Sequence, residues 1–152
     1  MAPWGPFMPC VGGLDVLPNE NLMTLQALLR HRTNAEAENR LRMALEFLAT
    51  GWLLPGTQKF ANYFIALDAL FGSKGNWDKP IKSGVRERLK LAPDDDRIGR
   101  LLGIRGELLH GDCASVETSR GYLPYRQKYL HHPTDDVFSF ARGCIRAEGD
   151  SS

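Results

Sequence analysis

Phe60-Ala61-Asn62-Tyr63-Phe64-Ile65-Ala66-Leu67-Asp68-Ala69-Leu70-Phe71-Gly72 decides the fold. Phe60, Tyr63, Phe64, Leu67, Leu70 and Phe71 recur at spacings of three and four, the period of an α-helix. Ala61, Ile65, Ala66 and Ala69 fill the other sides. A helix that is apolar nearly all round predicts a central place in a bundle. Pro55-Gly56 reads as the turn before it, so the helix is predicted over Thr57–Phe71 with Gly72 as its C-cap.

Helical periodicity continues on both sides. Upstream, Thr33-Asn34-Ala35-Glu36 has the capping-box form and opens a helix carrying Ala37, Leu41, Ala44, Leu45 and Leu48, predicted to end near Gly51. An earlier helix is predicted over about Asn21–Arg30, with Leu22, Leu25, Leu28 and Leu29 on one side. Downstream, Lys79–Leu91 is amphipathic, with Ile81, Val85 and Leu89 as the buried stripe. Pro93-Asp94-Asp95-Asp96 reads as a turn whose acids favour a helix start, and that helix runs to His110 with Gly111 as its stop. Gly111–Tyr129 reads as a loop, long enough to suggest a functional excursion. Pro133-Thr134-Asp135-Asp136 opens a last helix with Val137, Phe140, Ala141, Cys144 and Ile145. No alternating strand pattern is present. The prediction is all-α: an up-and-down bundle of four core helices with one or two more. Residues 1–18, rich in proline and glycine, read as a flexible tail of the kind that joins a piece of a longer protein. The domain is placed at 19–148 and a flexible end at 149–152.

Composition bounds the function. The 152 residues are 43% hydrophobic and 24% charged, which is ordinary globular usage and excludes global disorder. Nineteen basic against 18 acidic residues leave a formal charge of +1, so the chain is no polycation that coats nucleic acid or membrane by bulk charge. Cys10, Cys113 and Cys144 are widely spaced and form no C-x-x-C. With four histidines at no ligand spacing, neither a metal nor a cofactor is expected. Nothing in the sequence reads as a signal peptide or a membrane span, and cytoplasmic localisation is the expectation.

Arg97–His110 breaks its own pattern. With Ile98 at 0° and roughly 100° per residue, Leu101, Leu102, Ile104, Leu108 and Leu109 share one arc, and Arg105 falls inside it. An arginine on a core stripe needs a carboxylate, carbonyls or a cleft for its guanidinium, or else it snorkels to the helix end. Gly99, Gly103, Gly106 and His110 occupy a narrow strip on another side. Three helix glycines lose roughly 3 kcal/mol relative to alanine, a loss that close approach of a neighbouring helix, a second protomer or a nucleic-acid strand would justify. Arg105 and His110 are separated by about 7.5 Å along the axis and 140° around it, so they do not share a face.

In this context the chain resembles the HEPN superfamily, in particular its Apea-like branch. Phe60–Gly72 resembles the branch's aromatic helix ending in an A-L-[DE]-A-L-F string. Arg105-Gly-Glu-Leu-Leu-His110 matches the family's Arg-x(4–6)-His motif near a helix end, and Val85–Leu89 fits the expected order between them. Gly106 stands where many catalytic members carry a polar residue. The resemblance implies a dimeric bundle with metal-independent endoribonuclease activity, often in defence or toxin–antitoxin systems. It implies RNA, single-stranded rather than duplex, as substrate, and an antitoxin or other regulatory protein as partner. Arg105 would hold the scissile phosphate and His110 would act as general acid or base. Asp68, at the edge of the apolar stripe, is the carboxylate expected to orient Arg105, with Asn62 as a further polar contact. Lys82, Arg86 and Lys90, at i, i+4 and i+8, are candidate RNA-backbone ligands, although a solvated helix face is the better reading of them. A non-catalytic HEPN module that binds RNA, a nucleotide or a partner is the alternative, as is a dimerisation domain using the glycine strip.

Overall fold

The computed structural model describes residues 35–76 and 78–150. The helix expected over Asn21–Arg30, the Thr33 cap and the 1–18 tail lie outside them. The described residues form an all-α bundle of six helices: α1 (Ala35–Leu53), α2 (Gly56–Phe71), α3 (Asp78–Leu89), α4 (Arg97–His110), α5 (Tyr122–Tyr129) and α6 (Pro133–Asp150). A short 3-10 turn, Val116–Thr118, lies between α4 and α5. The only bridge of extended type among these residues is the isolated pair Ser73–Asn76.

The core is built from the stripes read in the sequence. Leu41 and Ala44 of α1, Phe60, Tyr63, Phe64 and Leu67 of α2, and Ile81 and Val85 of α3 are buried together. Ile98, Leu101 and Ile104 of α4 and Val137, Phe140, Ala141, Cys144 and Ile145 of α6 complete the cluster. α1 and α2 pack as a hairpin, and α6 touches each of the other five helices. The most apolar helix therefore shares the centre with α6, and Ala61 and Ile65 leave an exposed strip on α2.

α1 does not stop at Gly51 but runs through it to Leu53. Gly51 is buried, and a Cβ there would lie 2.7 Å from Tyr63 Cε1. The glycine thus serves the close approach of α2 rather than the end of α1. α4 ends as expected, with Gly111 in the left-handed region at φ 75°.

The expectation for Gly111–Tyr129 is corrected: this segment is not an extended loop. Ser115 and Thr118 form a reciprocal capping box around the 3-10 turn, and α5 follows. Periodicity missed α5 because Tyr125 is the one buried residue in it. Its anchorage is polar. The fully buried Tyr125 donates its hydroxyl to Asp136 Oδ2 at 2.5 Å, and Asp136 is itself buried on α6. Lys128 Nζ donates to Asp96 Oδ1 at 2.8 Å, and the Tyr129 hydroxyl donates to the same carboxylate. α6 then runs to Asp150, two residues beyond the boundary expected at 148.

Candidate functional site

Arg105 enters the bundle from the third turn of α4, on the side that carries Leu101 and Leu108. Its guanidinium donates from Nη2 to Asp68 Oδ2 at 2.6 Å. The side chains are 17% and 14% exposed respectively. The guanidinium carbon lies 5.5 Å from the Phe64 ring centroid, a cation–π contact from the same helix face that presents Asp68. The arginine is thus accommodated by a carboxylate one turn beyond Phe64 on α2. The structure brings Asp68 and Arg105 together as the sequence reading anticipated.

A second carboxylate completes this site. Asp78, the first residue of α3, places Oδ1 3.5 Å from Arg105 Nη1 and is 70% exposed. One guanidinium therefore faces two carboxylates, one enclosed and one in solvent. Burial pushes the Asp68 carboxyl above its ordinary range, Arg105 pulls it back, and the charge of Asp78 adds to the rise. Asp68 Oδ1 is buried without a hydrogen-bond partner among the described residues, so half of this carboxylate depends on Arg105 for its compensation.

His110 stands apart from that pair. It is exposed in the last turn of α4 and makes no hydrogen bond or ion pair with the described residues. Leu109 beside it is also exposed, because this turn runs past the core. Within one chain Arg105 points to α2 and α3 while His110 points to solvent, in line with their helical offset.

The glycine strip divides. At Gly99, a Cβ would lie 3.0 Å from Lys82 Cε, so α3 covers that end with a lysine stem. At Gly103 and Gly106 a Cβ would meet nothing within 4 Å among the described residues. No neighbouring helix of the described chain explains those two glycines. The strip leading to His110 is open.

The basic stripe does not exist as a stripe. Lys90 lies beyond the end of α3 with φ 49°, so it leaves the helical register of Lys82 and Arg86. Arg86 donates from Nη2 to the Asp95 carbonyl at 3.0 Å, and its Nε is buried. It ties α3 to the turn before α4 rather than facing solvent. Asn62 is likewise turned away: its amide donates to the Gln58 carbonyl at 2.9 Å, and its Cβ would be 3.1 Å from one at Gly51. It faces α1, two turns of α2 away from Asp68.

Sequence reasoning missed Asp78 because it sits one residue before the helix read from Lys79. It also missed the polar set around α5, where His131 Nδ1 lies 3.0 Å from Asp136 Oδ1, His132 Nε2 3.3 Å from Glu117 Oε1, and the Thr134 amide donates to His132 Nδ1 at 3.2 Å. The abundance of Tyr, His and Asp over 122–136 was the available signal. Glu107, inside the Arg105–His110 stretch, accepts from the Arg120 amide at 2.8 Å and so fastens the segment after α4 to its outer side.

Compared with known proteins, the chain matches no family model, no curated protein and no solved structure. Among the described residues no three His, Cys, Asp or Glu side chains gather as a metal site, and no helix is long and apolar enough to cross a membrane.

Proposed function

We propose that the chain is a HEPN-type domain of the Apea-like branch and acts as a metal-independent endoribonuclease on single-stranded RNA. The observation that carries this reading is the contrast along α4: Arg105 is fixed by Asp68, while His110, at the motif's other end, is exposed and uncommitted. A fixed guanidinium suits recognition and charge stabilisation of a phosphate. An exposed imidazole without a partner among the described residues is available for proton transfer.

In the proposed reaction, His110 accepts the proton of a ribose 2′-hydroxyl and the 2′-oxygen attacks the adjacent phosphorus. The bond from phosphorus to the 5′-oxygen breaks, and that oxygen takes a proton from water or from the protonated His110, which then returns to its neutral form. The products are a 2′,3′-cyclic phosphate and a 5′-hydroxyl. Arg105 offsets the additional negative charge in the transition state. Arg105 and His110 point apart within one chain, so the working site is assigned to a homodimer in which two such pairs face one cleft. The open strip at Gly103 and Gly106 is the proposed self-contact. Defence or toxin–antitoxin action, with an antitoxin or regulatory protein as partner, and a cytoplasmic setting belong to the same proposal.

The second reading is a non-catalytic module that binds RNA or a nucleotide, or that only dimerises. The enclosure of Arg105 between Asp68 and Asp78 favours it, as does Gly106 after the arginine. RNA cleavage in the presence of chelator, with cyclic-phosphate ends and loss in His110→Ala, decides for the enzyme. Binding without turnover that survives His110→Ala decides for the module.

A further inference from the structure

Two carboxylates on one guanidinium give the Arg105 site a formal charge of −1, the wrong sign for a phosphate ligand. The two acids are not equivalent. Asp68 is 14% exposed, donates no freedom to the site and contacts Nη2 at 2.6 Å. Asp78 is 70% exposed, sits at the first residue of α3 and stands 3.5 Å from Nη1, beyond the range of a strong hydrogen bond. Releasing Asp68 would leave a buried carboxylate uncompensated; releasing Asp78 leaves one in water, at a helix N-terminus that favours negative charge.

We propose that Asp78 is an internal competitor for substrate: its carboxylate holds the Nη1 side of Arg105 until a phosphodiester oxygen takes its place. The exchange replaces one negative charge by another, so the guanidinium remains between two anions throughout. Binding without exchange would add a third. Asp68 keeps Nη2 in both states and is the positioning residue, while Asp78 sets how readily a phosphate gains the arginine. The site therefore discriminates against weakly held anions and admits a strand that is also held elsewhere, in keeping with a net charge of +1 and no bulk attraction for RNA.

This inference rests on the reading of Arg105 as the phosphate ligand. The test uses the full chain and a fluorescent single-stranded 2′-O-methyl RNA oligomer, which lacks the attacking hydroxyl, with binding followed by anisotropy at about 50 mM salt. Asp78→Asn and Asp78→Ser are each expected to tighten binding about two- to fivefold, the range set by removing one exposed ion-pair partner. Arg105→Gln is expected to weaken binding, and Asp78→Asn added to it to change nothing. Equal tightening by Asp78→Asn in the presence and absence of Arg105 would mean a general charge effect and overturn the proposal. No tightening in either Asp78 variant, with Arg105→Gln still weakening, overturns it while sparing the reading of Arg105. If Arg105→Gln binds as the wild type does, that reading fails and the competitor role fails with it. Far-ultraviolet circular dichroism melts confirm that each variant is folded.

Discussion

Removing Arg105 exposes how the bundle tolerates an arginine on a core stripe. Arg105→Met keeps an unbranched apolar stem against Phe64 but takes the guanidinium from Asp68, whose Oδ1 is already buried without a partner. Breaking a fully buried ion pair from one side costs about 3–5 kcal/mol. The two side chains here keep 17% and 14% of their exposure, so water reaches part of the site and the expected loss falls to about 2–3 kcal/mol. Asp68→Leu combined with Arg105→Met removes both charges and is expected to return stability to within about 1 kcal/mol of wild type. Urea unfolding monitored by circular dichroism gives both values. The pH dependence has a definite sign. The folded Asp68 carboxyl titrates above its unfolded value, so this group stabilises the fold as pH falls through the raised folded value toward about 3.8. Loss of Arg105 raises that carboxyl further, so the deficit of Arg105→Met narrows from pH 7 toward pH 4. A loss below about 0.5 kcal/mol for Arg105→Met, or a double variant no better than the single, would mean that Arg105 does not compensate Asp68.

Four other perturbations follow from the same packing. Gly51→Ala places a Cβ 2.7 Å from the buried Tyr63 ring and is expected to cost about 1–3 kcal/mol, whereas Gly103→Ala meets nothing within 4 Å in its own chain and, at a dilution that keeps the chain monomeric, is expected to stabilise it by about 0.5–1 kcal/mol; equal effects in thermal melts would contradict the packing described. Tyr125→Phe leaves Asp136 without its buried hydroxyl donor and is expected to cost about 1.5–3 kcal/mol, with faster amide exchange confined first to Tyr122–Tyr129. Burial pushes the Cys144 thiol up to about 12, so a thiol reagent at pH 8 is expected to modify it only in step with global unfolding; rapid labelling of folded protein would place it elsewhere.

What the sequence made legible was whatever apolar periodicity writes. The stripes of α1, α2, α3, α4 and α6 recur at three and four, and the spacing selects most of their buried apolar members; the exceptions are Ala66, buried although outside the α2 stripe, and Leu109, exposed although on the α4 stripe. α5 was illegible because it carries no apolar face: Tyr125, Lys128 and Tyr129 hold it through hydrogen bonds to acids on α6 and before α4, which no local pattern records. At the site, Arg105 stood out because a charge on a core stripe demands a partner, and Asp68 was the acid on the facing stripe. Asp78 and Lys90 turned on helix ends, where a shift of one residue decides whether a side chain belongs to the helical register. Asn62 shares a helix with Asp68 but not its face. His110 is exposed in the last turn of α4, and under the proposed dimer it would meet Arg105 only across two copies of the chain.

Purified chain is incubated with a single-stranded RNA in excess EDTA, and the ends are mapped for wild type, His110→Ala and Arg105→Ala. Wild type is expected to leave 2′,3′-cyclic phosphate ends, and the His110 variant to lose at least about a hundredfold in rate, the scale of one general acid or base. Arg105→Ala is expected to lose cleavage as well, with its circular dichroism spectrum still helical. Cleavage that persists unchanged in both variants would remove His110 and Arg105 from the chemistry.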